Sequence, residues 1–321
     1  MPNAHPRSTL VSALRSASAL VLVLAACKTP SPPTQEPASP TAPSSAALAL
    51  ALEAAAPSAE GPCEGAPCEL FPTAALAVAK LAAKGPRVMA FGEAHAQKGG
   101  PAGPSTTKRF TDGLLPSFKG KATDVLIELW VANGSCGKKT EAKVATQQKV
   151  VSAPQAETNQ NEFLMLRDAS KALGIRPHFL VPPCEEYAKI LDAGVGDVDA
   201  MLSMIARLTA NDIRSFLEKT QGKEDAPLLL AYGGALHNDV APKKGHESWS
   251  FGTEFASKIG DKYMEIDLIV PEAIQDTPAW QGLPWYGKYK KGKQGDKAVL
   301  MALGPSSYVL FFPPADLAPP P

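Results

Sequence analysis

The sequence predicts an α/β fold: a mainly parallel central sheet flanked by helices, with a site at the carboxyl ends of its strands. Three observations carry the prediction. Short apolar runs at 88–91, 124–130, 176–181, 227–232 and 263–270 alternate with stretches of helical periodicity. The run Val125-Leu126-Ile127 is apolar without alternation, the pattern of a strand covered on both faces. Two runs end in glycine and then present a histidine, in Gly92-Glu93-Ala94-His95 and Gly233-Gly234-Ala235-Leu236-His237. In parallel sheets, sites form just beyond the strand carboxyl ends.

The chain has 321 residues, of which 45% are hydrophobic, enough for a sizeable core. Its formal net charge is zero, so nothing in the charge points to a nucleic-acid partner. Residues 1–27 read as a bacterial lipoprotein signal. Arg7 and Arg15 supply positive charge, and Ala19-Leu20-Val21-Leu22-Val23-Leu24 is an apolar core too short to span a bilayer. Small residues then precede Cys27, the expected lipid-bearing position. Lys28, rather than Asp, follows it, which points to the outer membrane. Residues 28–60 are rich in Pro, Ser, Thr and Ala and read as a disordered tether. The expected arrangement is an envelope protein, anchored to the membrane through Cys27 and facing the periplasm or the surface. A single α/β domain then occupies 61–321. No later segment is long and apolar enough to cross a membrane.

Four further cysteines suit an oxidising compartment and allow three pairings. Cys63 and Cys68 fit a small local loop. Cys136 and Cys184 each follow a predicted strand and can meet above the sheet. The expected pairs are Cys63–Cys68 and Cys136–Cys184. A zinc cluster is the alternative, without paired CxxC spacing to support it.

Taken in order, residues 72–84 predict a helix stopped by Gly85. Strand 88–91 follows, then a Gly/Pro-rich loop to Pro104. Ser105 is placed to cap a helix running to Phe118. Strand 124–130 carries Glu128 near its carboxyl end, where a carboxylate needs a partner or water because burying it alone is costly. The Lys-rich stretch 133–150 reads as an insertion loop near the site. A helix over 155–173 precedes strand 176–181, in which His178 reads as structural. Helices are expected over 198–208 and 211–219, the second capped by Asn211. Strand 227–232, a helix over 250–259 and strand 263–270 follow. Alternation puts Glu265 and Asp267 on one face, read as solvated charges. A strand pair over 298–303 and 308–312 ends the fold.

Glu93, His95, Glu128 and His237 are the candidate catalytic residues. Carboxylates beside imidazoles shuttle protons, and the same N/O set suits a divalent metal. Trp285 and Tyr286, interleaved with lysines, are candidates for stacking on a flat ligand such as haem, or for contacting lipid head groups. A Gly-x-Ser-x-Gly elbow, a P-loop and a strand-borne GxGxxG are all missing from the sequence.

Gly92-Glu93-Ala94-His95 after a strand, Glu128 ending the next, and the late Gly234-Ala235-Leu236-His237 resemble the superfamily of erythromycin esterases, ChaN-type haem-binding lipoproteins and TraB/Tiki proteins. The resemblance covers roughly 88–270. It implies a sheet flanked by helices, with Glu93, His95, Glu128 and His237 as the site. It also implies one of three activities: ester hydrolysis with a His as general base, metalloprotease-like hydrolysis, or haem binding. The expected function is therefore a hydrolase of ester or amide bonds, acting on a small molecule with His95 deprotonating water, with or without a divalent metal. A haem- or iron-ligand-binding lipoprotein and a non-catalytic envelope lipoprotein are the alternatives.

Overall fold

Each residue of the strand Val88–Glu93 is buried, and that strand lies at the middle of an eight-stranded sheet. The computed structural model describes residues 61–131, 133–195, 197–223 and 226–314. The expected lipoprotein signal, Cys27 and tether lie outside the described residues. Among those described, no helix is long and apolar enough to cross a membrane.

The described chain begins with Cys68–Phe71 (β1) and the helix Ala74–Ala82 (α1), whose first turn is capped by the Thr73 hydroxyl accepting from the Leu76 amide. Val88–Glu93 (β2) follows. Ser105 caps Thr106–Arg109 (α2), as its position before the helical spacing predicted, and the helix runs on through a π turn and a 3-10 turn to Phe118. Next come Ala122–Trp130 (β3), Lys138–Val151 (α3), Asn159–Ala172 (α4) and Arg176–Leu180 (β4). Cys184–Ala193 (α5) and Val198–Lys219 (α6) lead to Leu228–Gly234 (β5) and the single turn Ala235–Asn238 (α7). Gly252–Ile259 (α8), Tyr263–Ile269 (β6), Pro278–Gln281 (α9), Ala298–Ala302 (β7) and Ser307–Phe311 (β8) complete the order.

The sheet order is β1-β7-β8-β6-β2-β5-β3-β4. The six strands from β8 to β4 are parallel, and β7 alone runs against its neighbours β8 and β1. The mainly parallel α/β prediction therefore holds, with a mixed edge. One face carries Met89, Phe91, Ile127 and Leu230 under Phe110, Phe118 and Phe163. The other carries Val88, Ala90, Leu126 and Ala231 under Ile213 of α6 and Phe255 of α8. Burial on both faces explains the non-alternating apolar runs. Both expected cysteine pairs are joined, Cys63–Cys68 and Cys136–Cys184.

Three expectations are corrected. The stretch read as a loop at 133–150 is mostly α3. Its residues are good helix formers, but only a few of its side chains are buried, so there is little apolar periodicity to reveal it. The two helices expected around Asn211 are one helix, α6. Asn211 lies in its interior, and its side chain accepts from Arg214 instead of capping the backbone. Glu265 and Asp267 are not solvated. They sit on β6, between β8 and β2, on a covered face. Glu265 is only 5% exposed, accepting from the Val240 amide at 3.0 Å. Burial, and then the charge of Asp239, push its carboxyl up from 4.5 to about 7. Burial and the neighbouring Glu265 raise Asp267 well above its ordinary value.

An acid whose folded pKa is raised stabilises the fold while it is protonated. The unfolded chain ionises at Glu265 near 4.5 and the folded chain near 7. Stability should fall across that window and level off above it. Urea midpoints measured at about pH 5 and about pH 8 should show the fall, and Glu265→Gln should reduce it. An equal fall in both proteins would place its cause elsewhere.

Candidate functional site

Three adjacent central strands, β2, β5 and β3, end side by side and deliver the predicted residues. Glu93 is the last residue of β2 and pairs with Gly234, the last of β5. Glu128 lies near the end of β3, within the break of register between Ile127 and Trp130 opposite β4. Strand alternation sends Glu93 to the face of Phe91 and Tyr232, and Glu128 to the opposite face with Leu126. His95, just beyond β2, reaches both.

Glu93 is 4% exposed and three donors converge on it. His95 Nδ1 lies 2.9 Å from Oε1, while Thr107 donates to Oε2 at 2.9 Å and Tyr232 donates to it at 2.7 Å. Burial, and then the charge of Glu93, raise the Tyr232 hydroxyl well above its ordinary value, so it stays a donor. The far side of the His95 ring turns its Nε2 toward Glu128 Oε1 at 3.7 Å. His237 Nε2 approaches the same oxygen at 3.5 Å. These are charge-pair separations, too long for closed hydrogen bonds. The second oxygen of Glu128 accepts from the Gly234 amide at 2.5 Å. His237 is fixed from behind, because its Nδ1 meets the Trp249 carbonyl at 2.7 Å. A carbonyl only accepts, so Nδ1 carries a proton, and a neutral His237 has its lone pair on Nε2, facing the cluster.

The electrostatics follow from this packing. Burial alone would lower the His95 pKa, but the carboxylates of Glu128 and Glu93 outweigh it and hold the imidazole well above 6.5. Burial would raise Glu128. The imidazoles of His237 and His95 reverse that and hold it well below 4.5. At neutral pH the site contains an ionised Glu128 beside a protonated His95.

Two glycines make the arrangement fit. A Cβ on Gly233 would collide with the Glu128 carboxylate. A Cβ on Gly92 would stand 2.6 Å from both Ala235 Cα and Asn238 Oδ1, so only glycine lets α7 settle against β2. Below Glu128 and His237 is a cavity of about 20 Å³, bounded by Thr209 of α6 and by Asn238. Its size suits one water molecule.

Glu93, His95, Glu128 and His237 thus come together. Tyr232 and Thr107, which anchor Glu93, were not singled out from the sequence. Tyr232 had a readable signal, since it precedes the glycine of its strand as Phe91 does in β2. Thr107 had none. His178, read as structural, lies in the middle of β4 and contacts Asp124, near the start of β3, at 2.7 Å.

Trp285 and Tyr286 lie in the layer over β7 and β8, and burial corrects the assignment of Trp285 to ligand stacking. Trp285 is 1% exposed, wedged edge-on against Phe311 of β8, so neither face is free. Tyr286 packs beside it and donates to Asp276 at 3.1 Å. No group of three or more His, Cys, Asp or Glu among the described residues is disposed to hold a metal ion. The oxygens of Glu93 are moreover taken by His95, Thr107 and Tyr232, so the four-residue metal set is not formed.

No protein-family model matches the chain. No curated protein matches it either. Among solved structures, the type III effector HopBA1 is similar at 12% identity with a TM-score of 0.38, over 75% of this chain and 94% of that one. A likeness at that level carries no argument about fold or function.

The titration of His95 tests the geometry. Its C2–H resonance should shift with a midpoint well above 6.5, and Glu128→Gln should move that midpoint down. A raised folded pKa stabilises below the unfolded value, and that contribution is lost as pH rises through the folded one. The wild type should therefore lose stability in that range and Glu128→Gln should lose less. An unmoved midpoint would separate His95 from Glu128.

Proposed function

We propose that the chain is a lipid-anchored envelope hydrolase of ester or amide bonds, working by acid–base chemistry at Glu93, His95, Glu128 and His237. One observation carries the reading. Two imidazoles, each held through Nδ1, aim Nε2 at the same buried carboxylate. That is a pair of proton-transfer groups of matched type with a charge between them.

The raised pKa of His95 gives it the acid role, in place of the base role suggested by the sequence. Neutral His237 takes a proton from water at Nε2 as the water oxygen bonds to the substrate carbonyl carbon. The carbon–oxygen or carbon–nitrogen bond then breaks, and the leaving group takes the proton from His95 Nε2. The products are a carboxylic acid and an alcohol or amine. Glu128 steadies the positive charge on whichever imidazole is protonated, and passage of a proton from His237 back to His95 restores the starting state. Glu93, with Tyr232 and Thr107, keeps the His95 ring in place.

A panel of chromogenic esters and amides tests this with the full chain. His95→Gln and His237→Gln should each lower kcat by about a hundredfold or more while thermal melting survives. Activity should also decline as pH rises through the His95 pKa, because the acid is lost. Turnover equal to that of the wild type in both variants would remove the reading.

A further inference from the structure

Three of the exposed large hydrophobic side chains among the described residues lie at the carboxyl end of the sheet. Val131 directly follows β3, Val181 directly follows β4, and Leu236 directly precedes His237. They are 44%, 55% and 47% exposed. The others sit on the helices and connections around the sheet. Leu164 and Met165 are midway along α4, whose first residue, Asn159, bonds the Ala96 carbonyl beside His95. Val150 ends α3, just before Gln155 pairs with Gln97. Val198 opens α6 and Val195 lies three residues before it, while the far end of that helix meets Arg87 at the opposite edge of the sheet. Scattered apolar side chains are ordinary on a surface, but Val131, Val181 and Leu236 stand at the ends of adjoining strands, beside the Glu/His cluster.

We propose that the site takes amphiphilic substrates, esters or amides whose acyl group is a medium-length apolar chain lying across Leu236, Val131 and Val181. This rests on the hydrolase reading for the reaction and on the surface for the chain. Leu236 adjoins His237. Val131 is three residues beyond Glu128, and its amide is bonded to the Leu180 carbonyl at 2.8 Å, which sets it beside Val181. Neighbouring strands are about 4.8 Å apart, so the ends of β5, β3 and β4 form a track about 10 Å wide leading away from the reacting groups. The polar cluster then holds the scissile bond at one end of the track, and the valines cover the chain along it.

Two measurements on the full chain test the proposal. The first is kcat/KM for p-nitrophenyl esters from acetate to decanoate. Each added methylene should raise it about twofold, half the worth of full burial, until the chain outruns the track. Leu236→Asp and Val181→Asp should flatten that rise. The second is calorimetric titration with decanoate, which reports the track without any reaction. Saturable binding at one site, weakened about tenfold by Leu236→Asp, is expected. Decanoate binding without hydrolysis of any ester would overturn the hydrolase reading and keep the apolar track. Hydrolysis with a flat chain-length profile and no decanoate binding would overturn the track. So would a stable dimer, or adsorption to phosphatidylglycerol vesicles, that is abolished by the same substitutions while decanoate does not bind.

Discussion

The structure depends on a carboxylate placed where a carboxylate is expensive. Glu128 sits inside an apolar strand end, and burial works against its charge. It remains ionised because a backbone amide and two imidazoles surround it. Each neighbour has its own requirement. Gly233 must lack a side chain for the carboxylate to fit. His95 needs Glu93 behind it, and Glu93 needs Tyr232 and Thr107. His237 needs the Trp249 carbonyl. The chain of requirements runs through three strands, two short helices and the loops beside them, and the parallel centre of the sheet brings them to one place.

The legible part of the fold was the part in which local pattern and burial agree. The central strands were readable because both faces are covered, and Ser105 caps where its chemistry suggests. The misses have physical causes. Helix α3 shows mostly polar side chains, so its helical nature lies in propensity and not in periodicity. Asn211 looks like a cap because Asn favours caps, but a continuous apolar face carries α6 through it. Glu265 and Asp267 look solvated because alternation shows which side a residue faces and not whether that side is covered. The four candidate site residues were readable from strand–glycine–histidine patterning. Their roles were not, because the direction in which His95 titrates depends on two carboxylates, one of them from another strand.

Aromatic residues show the same limit. Trp285 and Tyr286 lie among lysines in the sequence and suggest a surface lid. In space the lysines point outward and the tryptophan fills the layer over β7 and β8. Composition alone does not separate a buried ring flanked by charge from a binding platform.

The order of the sheet has a consequence for how the molecule is made. Strand β2 pairs with β5 and β6, whose residues begin at Leu228 and Tyr263. A chain emerging amino end first therefore holds its central strand without either neighbour until most of the sequence has appeared. Nucleation of the sheet is a late event with long loops to close, and folding should be slow for the size of the protein. The residues of the cluster, spread from Glu93 to His237, cannot meet before β5 has emerged and joined β2 and β3.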